Sequence, residues 1–268
     1  EIASSMAWGL GYFGMPHVLL RFMAIREAKE LHRSRRIAMI WVVISLAAAV
    51  LIGVVGTAAV PKLLEGVAPE AATSKSETIF IVMAQFIGSR FGILAILVGV
   101  ILSGILAATM STSDSQLLIT SSAVSQNFFK GLLHKNASER AIMWVSRATI
   151  IIVAIIAAIL ASDPNSSIFG IVSYAWAGFG AAFGPLMLFS LFWKRTTLQG
   201  AVAGMLGGFA GVIIWKHVIA PMGGLWGIYE LLPAFIFSSL CIVVSSLLSR
   251  KPDEAIEKEF EVIANGKY

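Results

Sequence analysis

Of 268 residues, 57% are hydrophobic and only 13% charged, with a mean hydropathy of +0.85; soluble domains carry about 25% charged residues, so a soluble globular protein is excluded and an all-α polytopic membrane protein is expected. The net charge of +5 does not mark a nucleic-acid binder, because the cations sit in short loops between apolar runs and do not alternate with aromatics along a groove. The single cysteine, Cys241, allows neither an internal disulfide nor a thiolate cluster and reads as a small packing or lipid-facing residue.

The chain opens on Glu1-Ile2-Ala3, without an initiator methionine or the regions of a signal peptide, and reads as a piece of a longer one. A span needs about 20 predominantly apolar residues. Seven such runs follow, at 4–23, 37–60, 91–128, 141–161, 168–193, 197–219 and 226–248. The first holds Trp8-Gly9-Leu10-Gly11-Tyr12-Phe13-Gly14-Met15-Pro16-His17. Glycine and proline weaken a helix there and free backbone groups, which membrane depth tolerates only where protein or water satisfies them. Two readings stay open. The run is either a broken helix of the kind that holds solutes and ions in transporters, or a proline-kinked packing helix with Trp8 and Tyr12 as interfacial aromatics. His17 reads as a solvated or capping residue near the inner end.

The stretch 78–88 is apolar but too short to span, and reads as a surface or re-entrant helix. The third long run exceeds one simple crossing and is expected to tilt or project into the cytoplasm. Within it lies Gly104-Ile105-Leu106-Ala107-Ala108-Thr109-Met110-Ser111-Thr112-Ser113-Asp114-Ser115. An aspartate at membrane depth costs about 2.5–3.5 kcal/mol on insertion scales and usually faces a cavity or pathway. Ala108, Ser111 and Thr112 stand at i, i+3 and i+4, so one carbonyl and two hydroxyls share a helix face. Such oxygens suit a small hard cation. Ser115 extends the face by a turn, and Asp114 stands three residues from Ser111. The alternative is that each hydroxyl bonds back to the carbonyl four residues earlier and lets helices pack closely.

Lysine and arginine cluster after the first run (Arg21 to Arg36), after the third (Lys130 to Arg147), after the fifth (Lys194, Arg195) and in the tail (Arg250, Lys251, Lys258, Lys267), leaving Lys62, Lys75, Arg90 and Lys216 for the other side. The positive-inside rule makes the richer side cytoplasmic, with residue 1 outside and the C-terminus inside. The tail from Pro252 to Tyr268 mixes acids and bases and reads as a short, frayed cytoplasmic helix.

Three segments together resemble the sodium:solute symporter family, and within it the sodium/proline symporters. They are the tryptophan-glycine-tyrosine-proline run from Trp8 to His17 with Arg21-Phe22-Met23-Ala24-Ile25-Arg26 after it; Ala107-Ala108-Thr109-Met110-Ser111-Thr112; and the stretch from Ser173 to Pro185 leading into Ser190-Leu191, Arg195, Gly200-Ala201 and Gly204. The resemblance implies a leucine-transporter-type inverted-repeat fold. Residues 1–193 would then be the second repeat, five transmembrane helices with the first broken near Gly9–Gly14, residues 194–249 two additional transmembrane helices, and 250–268 a cytoplasmic tail. It implies sodium-coupled symport of L-proline across the cell membrane, with Na+ as coupling ion and no enzymatic activity. Trp8, Tyr12 and Pro16 match positions lining the proline site; Ala108, Ser111 and Thr112 match this helix's share of the sodium site. In some relatives Ser111 and the positions of Asp114 and Ser115 help to hold a second sodium, and here one of those is a carboxylate that can bind that ion, pair with a cytoplasmic base or solvate the inner vestibule. Both sites would be shared with an N-terminal half absent from this sequence. The rival readings are a symporter of the same family for another solute, such as pantothenate or a different amino acid, and a symporter-like sensory domain, against which the short tail speaks. An intramembrane protease lacks its nucleophile and base, or its paired aspartates.

Overall fold

The computed structural model describes residues 2–27, 29–90, 92–163 and 167–264. Glu1, Phe91 at the start of the third run, and Lys267 and Tyr268 in the tail lie outside them. All regular elements among the described residues are helical: α1 (Ile2–Gly11), a 3₁₀ turn (Tyr12–Gly14), α2 (Pro16–Met23), α3 (Glu30–Ala59), α4 (Pro69–Ser76), α5 (Ile79–Arg90), α6 (Gly92–Ser122) continued by a π-helix (Ala123–Leu133), α7 (Glu139–Leu160), α8 (Ile168–Phe192), α9 (Leu198–Ile214), α10 (Leu231–Leu248) and α11 (Glu254–Ala264).

Six helices among the described residues are long and apolar enough to cross a membrane: Glu30–Ala59, Gly92–Leu133, Glu139–Leu160, Ile168–Phe192, Leu198–Met222 and Leu231–Leu248. The seventh expected run, 4–23, is divided between α1 and α2, and neither half has the length to cross. Two boundaries move for identifiable reasons. α3 starts at Glu30, seven residues ahead of the apolar run, because glutamate, leucine and arginine sustain a helix beyond the bilayer as well as within it. The last long helix starts at Leu231 where hydropathy alone places it at Trp226; Gly223 and Gly224 adopt φ of 75° and 61°, a left-handed conformation open to glycine and incompatible with helix continuation. Trp226 and Gly227 close a short 3₁₀ turn, Gly224–Gly227, and Ile228 to Glu230 lead from it into the helix.

The chain divides into two compact units, Glu1–Ser34 with Phe169–Tyr268, and Arg35–Ile168. Packing thus groups the broken first segment with the C-terminal helices on both sides of residue 193. The first unit has its core at Met15, Trp176, Ala177, Ala181, Val212, Leu231, Ala234 and Phe235. Its α9 and α10 approach through Gly200 and Gly204, four residues apart. A Cβ at Gly200 would meet Ser246 Oγ at 1.9 Å and one at Gly204 would meet Ile242 Cγ1 at 2.3 Å. This is small-residue packing, in which lost side-chain volume becomes backbone proximity. Buried Ser238 adds a bond from its Oγ to the Gly204 carbonyl at 2.8 Å, and Cys241 packs on Gly207. At the far end of α10, Arg195 donates to the Ser249 carbonyl at 2.8 Å, and Lys194 pairs with Glu261 of the tail helix at 3.3 Å.

Gly208 faces the other way. Its Cβ would lie 2.2 Å from the Ala181 carbonyl oxygen of α8, a backbone atom that no rotamer change removes. Gly208→Ala is expected to destabilise the folded protein by about 1–3 kcal/mol or more through overpacking, read as a lowered thermal midpoint of purified protein. Gly53→Ala, where nothing lies within 4 Å, should leave the midpoint unchanged.

In the second unit, Gly56 of α3 is buried against Ile79 and Met83 of α5, and half-buried Gly88 of α5 faces Val98 of α6. The Glu77 carboxylate accepts from Ser167 Oγ at 2.7 Å and from the Ile168 amide at 3.0 Å, satisfying a free amide at the start of a helix. By contrast, residues 103–116 of α6 are exposed along their whole length.

Candidate functional site

The break in the first segment follows from covalent chemistry. Pro16 has no N–H to continue the helical ladder, and the residue before a proline is driven to extended geometry; Met15 has φ −81° and ψ 115°, and Pro16 occupies the first turn of α2. The interruption spans 12–15, with Gly9 and Gly11 still helical. Gly11 and Gly14 serve close approach. A Cβ at Gly14 would lie 2.4 Å from the Phe179 carbonyl oxygen and 2.9 Å from Gly180 Cα, and one at Gly180 would lie 2.7 Å from Gly11 Cα. The break therefore rests backbone on backbone against α8.

Around it stands an aromatic wall. The Trp8 ring is stacked against Phe169, Trp176 and Tyr229, with centroids 5.4, 5.3 and 5.9 Å away. Tyr12 meets Trp176 edge-on at 4.8 Å and is 51% exposed, so it presents a free ring face. Trp176 Nε1 donates to the Trp8 carbonyl at 3.0 Å. Pro16 is half-buried below them. Of these residues, Trp8, Tyr12 and Pro16 were expected from sequence; Phe169, Trp176 and Tyr229 were not, although Trp176 lies inside the third resembling segment.

Tyr229 lies outside the long helices. Its hydroxyl donates to the Ser173 carbonyl at 2.6 Å, and burial first, then the neighbouring Glu230 carboxylate, raises its pKa above the ordinary phenol value, so it remains a neutral donor. Glu230 is itself buried and pairs with Lys216 at 3.2 Å.

The second group lies on α6. Thr112 Oγ1 donates to the Ala108 carbonyl at 3.1 Å and Ser115 Oγ to the Ser111 carbonyl at 3.0 Å. The hydroxyls thus make the back-bonds of the alternative reading, yet Ala108, Ser111, Thr112, Asp114 and Ser115 are all exposed. Two oxygens 3.1 Å apart can both reach one hard cation at about 2.4 Å, and a hydroxyl keeps two acceptor lone pairs after its proton turns aside. The aromatic wall belongs to the first unit and the hydroxyl face to the second.

The family model for sodium:solute symporters matches residues 1–208. The chain belongs to the sodium:solute symporter family. This symporter-family chain is 44% identical over 261 residues to a sodium/proline symporter of Haemophilus influenzae, covering 97% of the chain and 50% of that protein. It is 45% identical over 262 residues to one from Escherichia coli, covering 97% and 49%, and 44% identical over 261 residues to a high-affinity proline transporter of Bacillus subtilis, covering 97% and 52%. The chain spans about half the length of the curated relatives it matches. No solved structure matches it significantly.

Proposed function

We propose that this chain takes part in sodium-coupled symport of L-proline into the cell by alternating access. The observation that carries the reading is identity of 44–45% over 97% of the chain to transporters named for sodium and proline. The architecture proposed is the leucine-transporter type, with this chain as second repeat and two further helices, completed by an N-terminal half, in the cell membrane with the C-terminus cytoplasmic.

Substrate would meet Trp8, Tyr12 and Pro16. Proline's zwitterion needs polar backbone for its charged ends and an apolar wall for its ring; the interruption at 12–15 supplies the first, the exposed face of Tyr12 and the edge of Trp8 the second. Sodium would be held by the Ala108 carbonyl and the Ser111 and Thr112 hydroxyls, with Asp114 and Ser115 as a second cation position or the wall of the inner vestibule. If sodium raises affinity for proline, proline raises affinity for sodium by the same factor, and the inward sodium gradient then drives uptake.

In proteoliposomes holding the complete gene product, labelled proline should accumulate under an inward sodium gradient and not when potassium replaces sodium. Excess unlabelled proline should abolish the signal, while pantothenate and other amino acids leave it. Accumulation of pantothenate or another amino acid with no uptake of proline would transfer the site to a different solute.

A further inference from the structure

We infer that Tyr229, in the loop between α9 and α10, is a positioning residue that holds Trp8 in the aromatic wall and thereby sets the affinity of the solute site. The inference rests on the transport reading above and adds to it a residue that would not touch the solute. Tyr229 uses three different parts of itself on two elements. Its ring stacks on Trp8 at 5.9 Å and 18°; its amide donates to Ser4 Oγ at 3.1 Å, one helical turn ahead of Trp8; its hydroxyl donates to the Ser173 carbonyl at 2.6 Å, one turn ahead of Trp176, whose Nε1 holds the Trp8 carbonyl. Phe169 and Trp176 approach Trp8 from α8. Tyr229 approaches it from the loop between α9 and α10.

The loop carrying it is fastened. Glu230, with its side chain 8% exposed, pairs with Lys216 at 3.2 Å, and Trp215 Nε1 donates to the carbonyls of Trp226 and Ile228 at 3.2 Å each. Lys216 also lies 5.1 Å from the Tyr174 ring. Gly11 and Gly14 bring the end of α1 and the turn after it onto the backbone of α8, and Tyr229 adds a contact at Trp8 and Ser4, further up the same helix. Tyr229 joins α1 and α8 at the level of the wall, so the loop between the two C-terminal helices bears directly on the ring of Trp8.

The test uses the complete gene product. Tyr229→Ala should raise the proline KM about 10-fold with the turnover per carrier within about twofold, while Tyr229→Phe, which keeps ring and amide, should stay within about threefold of the parent. In a Trp8→Leu background, Tyr229→Ala should add less than about twofold, because the group it positions is gone; full additivity would overturn the assignment. A readout free of substrate accompanies it. Gly9 has nothing within 4 Å and accepts a cysteine, so the rate at which an impermeant maleimide labels Gly9→Cys should rise about fivefold with Tyr229→Ala and not with Tyr229→Phe. If the parent takes up no proline but labelling responds in this way, the positioning role stands and the proline reading falls. Unchanged labelling with Tyr229→Ala sinks the positioning role whatever the solute. Should that variant not reach the membrane, Ser4→Ala removes only the acceptor of the Tyr229 amide; a twofold or greater rise in labelling is expected, and no rise overturns the role.

Discussion

Thr112→Val should raise the sodium concentration for half-maximal proline uptake by about 10- to 100-fold at nearly constant side-chain volume. Valine keeps the branched shape of threonine and has similar helix propensity, so the fold of α6 is preserved. What disappears is Oγ1, which stands 3.1 Å from the Ala108 carbonyl and is one of three oxygens proposed for the cation. Hydrogen bonds to charged groups contribute about 1.5–3 kcal/mol, and a lost oxygen ligand of comparable strength corresponds to the stated range. Thr120→Val is the matched control. Its Oγ1 makes the same kind of back-bond, to the Gln116 carbonyl at 2.8 Å, two turns along the same helix and away from the proposed ligands. Uptake measured against sodium at fixed proline distinguishes the two, and an unchanged sodium requirement in Thr112→Val would remove the site from this face.

Gly14→Ala should lower uptake at saturating proline about 10-fold or more and depress the thermal midpoint of the purified protein. The new Cβ would be 2.4 Å from the Phe179 carbonyl oxygen and 2.8 Å from the Gly184 amide nitrogen, both backbone atoms of α8. Overpacking of this kind costs about 1–3 kcal/mol, and the relief available is to push the interruption off α8, carrying Tyr12 away from Trp176. Gly178→Ala on α8, with nothing within 4 Å, should be silent in both assays. Wild-type uptake and midpoint in Gly14→Ala would mean that the break does not rest on α8 during transport.

Much of this architecture is local in origin. The six long helices, the short helix α5 and the tail helix α11 are legible in the sequence, because hydropathy acts within a few residues along the chain; the break expected near Gly9–Gly14 lies at 12–15, with Gly9 and Gly11 helical, because the missing N–H of Pro16 and its restriction of Met15 outweigh the weaker helix propensity of glycine. Hydropathy alone places the start of the last long helix at Trp226 because Trp226, Ile228 and Tyr229 look like span residues; the local signal against it is the Gly223-Gly224 pair, whose positive φ leads into a short 3₁₀ turn ahead of Leu231. The glycines of the first run were read as helix weakeners. Gly11 and Gly14 turn out to be contact surfaces, a role set by what lies opposite.

The sequence by itself determined that this chain is helical, with runs long and apolar enough to cross a membrane, that its first segment cannot continue as one helix through Pro16, and which residues of α6 share a face, since each of these depends on residues within a turn or two of one another. Only the tertiary structure decided that Trp8 stacks on Phe169, Trp176 and Tyr229, that Gly208 meets the backbone of α8, and that Glu230 is buried against Lys216. These pairs are separated by 14 to more than 200 positions, and nothing in a residue's own chemistry names a partner that the folding of the intervening chain must bring within reach.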